Sequence, residues 1–451
     1  MRYELTTDSG EARLILIFAG WGTDASFYSH ISVTGYDTMV VWDYSDLDFP
    51  IYILDRYHTV CLFAWSLGVF AATAAIPFDR LSMAIAINGT EHPVDNALGI
   101  PESIYNGTEE SLDVRNLMKF RRRMSGKSYN LLKDRFKEFP ISELKKELEY
   151  IRMRSAENYS CGKWDSVYIS DNDSIFPPAN QKLAWESHPS IPEIKHIDES
   201  HYIDIYNVVK GAIPAYNKVG ERFRRAMSTY DDNAAAQKNI ASHLVEMMPS
   251  IKIERALEIG PGSGLLTNLF AEKYSPSEID FIDLYPLPEY KVAPSEKYHT
   301  GDAEEWMENA ANDRDGVYDA IVSASAIQWF VNPRRFLRNA FRLLKPGGIL
   351  ACSSFLPGNL KELLPVNPYG LVYRTEKNLR EMLSQDFENV AIESEEIVLE
   401  FESTRELLKH IKYTGVGGSS AKGNTLRSLL SNIPSNLTYR PIYFTARKNA
   451  H

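Results

Sequence analysis

Cysteine is scarce, at three in 451 residues (Cys61, Cys161 and Cys352). Their wide separation shows neither metal-ligand spacing nor a disulfide framework. No apolar run approaches the roughly 20 residues that span a bilayer. The segment Met1 to Arg13 is polar and mixed in charge, without the basic cap and apolar stretch of a secretory signal. Positive charge is also in deficit, with 49 Lys and Arg against 60 Asp and Glu for a net −11, which argues against nucleic acid as the main partner. No internal repeat or low-complexity tract is present. These absences leave a reduced, cytoplasmic protein with no resident metal and no membrane association. Its 44% hydrophobic and 24% charged content is ordinary for a globular chain. Its length suits two or three domains.

Apolar runs alternate with helical patterns through the first 200 residues, as in a parallel sheet covered by helices. Strands are expected at 13–19, 38–42, 60–65, 82–88, 165–170 and 193–197. Between about 104 and 163 the pattern turns helical and highly charged, which reads as a helical lid inserted over the sheet. Within it, from Lys119 to Lys146, ten basic residues face three acidic ones, including Arg121, Arg122 and Arg123. The alternation stops at Gly211 and Pro214, dividing the chain into domains at 1–208 and 214–451. The second half opens with helices at about 216–228 and 232–248. Strands follow near 255–259, 278–283, 318–323 and 348–354, with further apolar segments at 390–401 and 441–447. The fold class is therefore α/β in both halves.

Each half carries a chemical signature. In the first, the apolar run Val60-Cys61-Leu62-Phe63-Ala64-Trp65 leads into Ser66-Leu67-Gly68 and an alanine-rich helix. A serine on such a turn projects its hydroxyl above the sheet, with the next N–H, that of Leu67, aimed at an oxyanion. Ala64 stands where the usual motif has glycine, and is small enough for the tight turn. Gly20-Trp21-Gly22 follows the first long strand, where Trp21 can supply the second oxyanion N–H. The order serine, acid, histidine matches a hydrolase triad. Asp173, just before Ile175-Phe176-Pro177, is preferred to Asp171 as the acid. His201, expected on a loop, is preferred to His188 and His196 as the base.

In the second half, Ala256-Leu257-Glu258-Ile259 runs into Gly260-Pro261-Gly262-Ser263-Gly264. A dinucleotide fingerprint would need glycine where Leu265 stands. An acidic strand residue followed by G-x-G-x-G suits S-adenosylmethionine (SAM) instead. Asp283, ending the next strand, can accept both ribose hydroxyls. Asp302 and Ala303 fit an adenine contact. Ser323 to Trp329 falls at the carboxyl edge of the sheet, where such folds bind ligands.

The first 205 residues resemble the pimeloyl-acyl-carrier-protein methyl ester esterases of biotin synthesis, a short α/β-hydrolase family. The resemblance rests on Phe18-Ala19-Gly20-Trp21-Gly22, Ala64-Trp65-Ser66-Leu67-Gly68-Val69, Ala86-Ile87-Asn88-Gly89-Thr90, Phe120-Arg121-Arg122-Arg123-Met124 and Ile175 to Gln181. It implies Ser66, Asp173 and His201 as the triad. It also makes the basic lid segment, Arg121 to Arg123 included, a docking face for acidic acyl carrier protein. Residues 214–450 resemble the malonyl-acyl-carrier-protein O-methyltransferases, through Phe223 to Tyr230, Gln237, Ile327-Gln328-Trp329-Phe330, Leu344 to Gly348, Ile411 to Val416 and Leu437-Thr438-Tyr439. That resemblance implies SAM as cofactor, bound by Glu258, Gly260, Gly262, Gly264, Asp283, Asp302, Ala303, Ser323 and Tyr230. Lys412, Tyr230 and Tyr439 are candidates to hold the malonyl carboxylate, with Gln328 and Trp329 beside the substrate. Other readings are an esterase or thioesterase of different specificity fused to a small-molecule methyltransferase, or a degenerate carrier-recruiting module fused to an active one.

Overall fold

The computed structural model describes residues 1–157, 159–213, 235–364, 369–414 and 435–449, with backbone alone at 408 and 412–414. The chain divides into two compact units, Met1–Val209 and Lys210–His451. The expected linker start at 208 lies inside a helix, Ile205–Ala212, which continues past Gly211 and ends before Pro214. The helix expected at 216–228 lies outside the described residues.

The first unit is built on β1 (Arg2–Thr7), β2 (Arg13–Phe18), β3 (Asp37–Trp42), β4 (Thr59–Trp65), β5 (Met83–Ile87), β6 (Ser166–Ser170) and β7 (Glu193–Ile197). They form one sheet in the order β1-β3-β2-β4-β5-β6-β7. Only β1 pairs antiparallel, with β3. Leu14 to Phe18, Val60 to Trp65 and Met83 to Ile87 are buried throughout. That uninterrupted apolar character is expected of parallel strands covered on both faces. β1 was not anticipated, because its residues are polar and its burial is that of an exposed edge. Helices Glu102–Glu110, Val114–Ser125, Tyr129–Leu132 and Ile141–Arg154 fill the long connection between β5 and β6.

The second unit contains β8 (Arg255–Ile259), β9 (Glu278–Asp283), β10 (Ser295–Thr300), β11 (Tyr318–Ser323), β12 (Leu344–Phe355), β13 (Glu388–Ser394), β14 (Ile397–Glu400), β15 (Asn436–Tyr439) and β16 (Pro441–Arg447). The main sheet runs β10-β9-β8-β11-β12-β16-β13, with β16 antiparallel to both neighbours. Leu257 and Ile259 pack with Phe336 and Leu350 on one face, and Ala256 with Leu244 and Phe270 on the other, as strand alternation requires. The strand order reverses direction at β8, leaving a crevice between the carboxyl ends of β8 and β11. The single apolar segment expected at 390–401 breaks at Glu395-Glu396. β13 joins the main sheet, whereas β14 pairs with β15 in a separate ladder.

Two candidate active sites

Ser66 sits between β4 and the helix Leu67–Ala75 with φ 59° and ψ −128°, a strained conformation that points its side chain out of the turn. Gly68 makes the turn possible, since a Cβ there would lie 2.5 Å from the Phe18 carbonyl oxygen. His201 Nε2 is 2.9 Å from Ser66 Oγ, and His201 Nδ1 is 2.8 Å from Asp173 Oδ2. All three side chains are buried. Asp173 has no other freedom: its Oδ1 accepts the N–H groups of Ile175 and Phe176 at 2.8 and 3.0 Å, and Gln181 Nε2 donates to Oδ2 at 3.0 Å. The His201 carbonyl is fixed by Asn88 Nδ2 at 2.7 Å and Trp65 Nε1 at 3.1 Å. The rivals stand apart. Asp171 pairs with His196 at 2.9 Å near the surface, and His188 pairs with Glu91 at 3.1 Å.

The loop after β2 is held beside the serine. The Tyr28 hydroxyl accepts from Gly20 N–H at 3.0 Å and lies 3.0 Å from Thr23 Oγ1, while Thr23 Oγ1 donates to the Gly20 carbonyl at 2.6 Å. The backbone N–H groups of Trp21 and Leu67 have no partner among the described residues. Two unpaired donors beside a nucleophile have the chemistry of an oxyanion hole.

The helical connection forms the wall of this site. Ile104, Tyr105, Thr108, Phe120, Arg123 and Leu148 line a pocket together with Trp21, Ser66 and Leu67. Trp21 Nε1 donates to the Leu144 carbonyl at 3.2 Å, and Tyr105 Oη to the Leu148 carbonyl at 2.9 Å. Glu147, buried on the same helix, accepts the Tyr44 N–H at 3.1 Å; burial pushes its pKa up to about 8 despite that bond. The three arginines of the basic run have different surroundings. Arg121 is half-buried, donates to the Lys137 carbonyl at 2.6 Å and packs over Phe136. Arg122 lies over Tyr129. Arg123 lies over Phe120 at the pocket.

At the crevice of the second unit, Gly260, Gly262 and Gly264 have φ of 64°, 56° and 91°, conformations that side chains rarely tolerate. Gly264 caps the helix Leu265–Tyr274. Glu258 is fully buried with both carboxylate oxygens lacking a hydrogen-bond partner of ordinary geometry. Burial pushes its pKa up to about 8, the nearby Thr267 hydroxyl opposing the rise. Ser263 Oγ, Ser325 Oγ and Gln328 Oε1 are likewise buried without partners. Orphaned polar atoms at the end of β8 and on the turns that follow β8 and β11 are what a polar ligand such as SAM would satisfy. Asp283 ends β9, its Oδ1 accepting Tyr285 N–H at 3.1 Å, with burial raising its pKa.

Several expected contacts have other structural commitments. Asp302 caps the helix Ala303–Asp313 by accepting from Glu304 N–H at 2.9 Å. Ser323 is buried and its hydroxyl donates to the Ile259 carbonyl at 2.9 Å, tying β11 to β8. Tyr439 is buried on β15 with its hydroxyl 2.9 Å from His410 Nε2. Gln328 Nε2 donates to the Ser325 carbonyl at 2.5 Å, and Trp329 lies in the same short helical turn. Tyr230 and the Lys412 side chain lie outside the described residues. Sequence patterns gave no signal for Glu147 or for Tyr290, which packs on the glycine loop. Both are recognisable only once distant elements meet.

Among the described residues no helix is long and apolar enough to cross a membrane. Residues 1–207 match the family model for pimeloyl-ACP methyl esterase BioG, and residues 220–392 match a methyltransferase-domain model. A malonyl-acyl-carrier-protein O-methyltransferase of Bacteroides fragilis is 34% identical over 463 residues, covering 96% of this chain and 92% of its own. One from Haemophilus influenzae is 32% identical over 51% of this chain and 94% of its own. The crystal structure of BioG from Haemophilus influenzae is 32% identical, covers 45% of this chain and 94% of its own, and has a TM-score of 0.41.

Proposed function

The chain belongs to the malonyl-acyl-carrier-protein O-methyltransferase family, and from that premise we propose a bifunctional enzyme of biotin synthesis. Its second half methylates the free carboxyl of malonyl-acyl-carrier protein. Its first half hydrolyses the pimeloyl-acyl-carrier-protein methyl ester after elongation. The observation that carries the reading is the hydrogen-bonded Ser66–His201–Asp173 series within a BioG-like domain, in a chain whose near-full-length relative is a methyltransferase.

In the esterase, His201 Nδ1–H donates to Asp173, leaving the Nε2 lone pair to receive the Ser66 proton as Oγ attacks the ester carbon. Asp173 stabilises the imidazolium that results, and the Trp21 and Leu67 N–H groups receive the oxyanion. His201 then returns the proton to the departing methoxide. Water, activated by the same histidine, releases the acid and restores Ser66.

In the methyltransferase, Glu258, the glycine loop and Asp283 would hold SAM, which when bound supplies an electrophilic methyl group. A malonyl carboxylate is already ionised at neutral pH, so no general base is required. The protein's contribution is alignment and exclusion of water. Lys412, Tyr230 and Tyr439 are the proposed partners of that carboxylate; Tyr439 would have to exchange or share its bond to His410.

An esterase that cleaved malonyl methyl ester as readily as the pimeloyl ester would reverse the first step. The apolar wall of Ile104, Tyr105, Phe120 and Leu148 favours burying the longer chain. We expect kcat/KM on carrier protein to favour pimeloyl over malonyl methyl ester by at least about 100-fold, on the scale of several buried methylenes. Methyl transfer should require malonyl-carrier protein rather than free malonate. Equal rates on the two esters, or equal methylation of free malonate, would overturn this assignment.

A further inference from the structure

Tyr290 lies on the connection between β9 and β10, a segment to which the motifs assign nothing. Its hydroxyl donates to the Gly262 carbonyl at 2.7 Å. Its ring packs so closely on Gly264 that a Cβ there would sit 3.0 Å from Cδ1 and Cε1. Phe281 of β9 supports it at a centroid distance of 5.0 Å. Burial above all, with the Glu258 and Asp283 carboxyls beside it, raises the pKa of the hydroxyl, so it remains a donor.

The backbone that delivers this side chain is itself clamped. Lys291 has φ 58°, a conformation costly for a residue with a side chain. Glu296 of β10 offsets that cost by accepting three consecutive N–H groups, those of Lys291, Val292 and Ala293, at 3.2, 2.6 and 3.0 Å. Glu296 also accepts from the Tyr298 hydroxyl, whose oxygen accepts the Tyr290 N–H at 2.9 Å. A carboxylate and two tyrosines thus form one continuous hydrogen-bonded brace from β10 to the glycine loop.

We propose that Tyr290 is a positioning residue for the cofactor, fixing the glycine loop before SAM arrives. This role rests on the SAM reading of that loop and follows from the loop's geometry. The Gly262 carbonyl and the Ser263 N–H belong to one planar trans peptide and point in opposite directions. Anchoring the carbonyl on Tyr290 therefore aims the Ser263 N–H away from the tyrosine. That N–H has no partner among the described residues, leaving a preset donor for an acceptor group of the cofactor. A loop with three left-handed glycines has many alternative conformations, and the Tyr290 anchor on the Gly262 carbonyl, with the Asp283 carboxylate on the Gly262 N–H, removes much of that freedom before binding.

The test is calorimetric titration of the full chain with SAM and with S-adenosylhomocysteine. Tyr290→Phe keeps the ring on Gly264 and removes only the anchor. It should weaken both ligands roughly five- to tenfold, the effect of one net hydrogen bond. The KM for SAM should rise while kcat at saturation holds. Glu296→Gln, which loosens the clamp but leaves the hydroxyl, should give a smaller change in the same direction. Wild-type affinity for both ligands in Tyr290→Phe would overturn the proposal while leaving the SAM site intact. Failure of the wild-type chain to bind SAM would instead overturn the cofactor reading, and the brace's role with it.

Discussion

The two sites treat their polar atoms in opposite ways. Around Ser66 they are bonded to one another: serine to His201, His201 to Asp173, and Asp173 to Gln181 and two backbone N–H groups. Around the glycine loop several are not: Glu258, Ser263, Ser325 and Gln328 each carry a buried atom without a hydrogen-bond partner of ordinary geometry. A site that performs chemistry with its own side chains must hold them assembled before substrate enters, because the proton path is made of those bonds. A site that leaves the chemistry to a cofactor must keep its bonding capacity free. Buried atoms left without partners carry a cost to the free protein, one that a polar ligand can relieve.

The two sites should separate most completely at Ser66. If the first site works as one bonded unit, Ser66→Ala should lower ester hydrolysis at least about 10⁴-fold, as loss of a triad nucleophile does. Methyl transfer by the same chain should be unchanged. Hydrolysis of a short p-nitrophenyl ester, measured alongside methylation of malonyl-carrier protein, reads both activities. Hydrolysis that survives the substitution would mean that the assembled residues are scaffolding.

Much of this contrast was legible in the sequence, for identifiable reasons. A buried parallel strand needs apolar residues; Val60 to Trp65 supply an unbroken run directly before their turn, and Ala256, Leu257 and Ile259 do so around the single carboxylate of Glu258. The preference for Asp173 over Asp171 rested on its distance from Pro177. In the structure that spacing lets one carboxylate oxygen bind the N–H groups of Ile175 and Phe176, freeing the other for His201. What the sequence hid depends on tertiary contact. β1 is a polar edge strand defined by its partner, β3. Glu147 looks like one more charge on a solvated helix until the Tyr44 N–H meets it in the interior. Arg121, Arg122 and Arg123 are chemically identical in sequence, yet only Arg123 reaches the Ser66 pocket.

A second prediction concerns Glu258. Its pKa near 8 means that most of the free protein carries a neutral carboxyl there at pH 7. A cationic cofactor favours the ionised form and so draws the pKa down on binding. Affinity should therefore rise with pH towards 8 and level off above it, with a proton released on binding at pH 7. Glu258→Gln should abolish that release and weaken SAM by about tenfold, the value of a charge-assisted hydrogen bond. Titrations in buffers of different ionisation enthalpy count the proton. The same count in wild type and variant would show that Glu258 is not the group waiting for the ligand.

The smallest expected effect lies at the mouth of the first site, where self-sufficiency ends. Arg121 is committed to the Lys137 carbonyl and Phe136, so Arg121→Met should act on the lid and lower Tm by a few degrees, on the order of 1 kcal/mol. Arg122 and Arg123 are exposed, the first lying over Tyr129 and the second over Phe120 at the pocket, leaving their charges available to an acidic carrier protein. Reversing both to Glu should reduce kcat/KM on carrier-bound ester about five- to tenfold, mainly through association, with the deficit shrinking as salt is raised. Hydrolysis of a small neutral ester should stay within about twofold, since no carrier has to dock. An equal loss on both substrates would place the arginines in the pocket's own packing. No loss on either would remove carrier docking from this face of the lid.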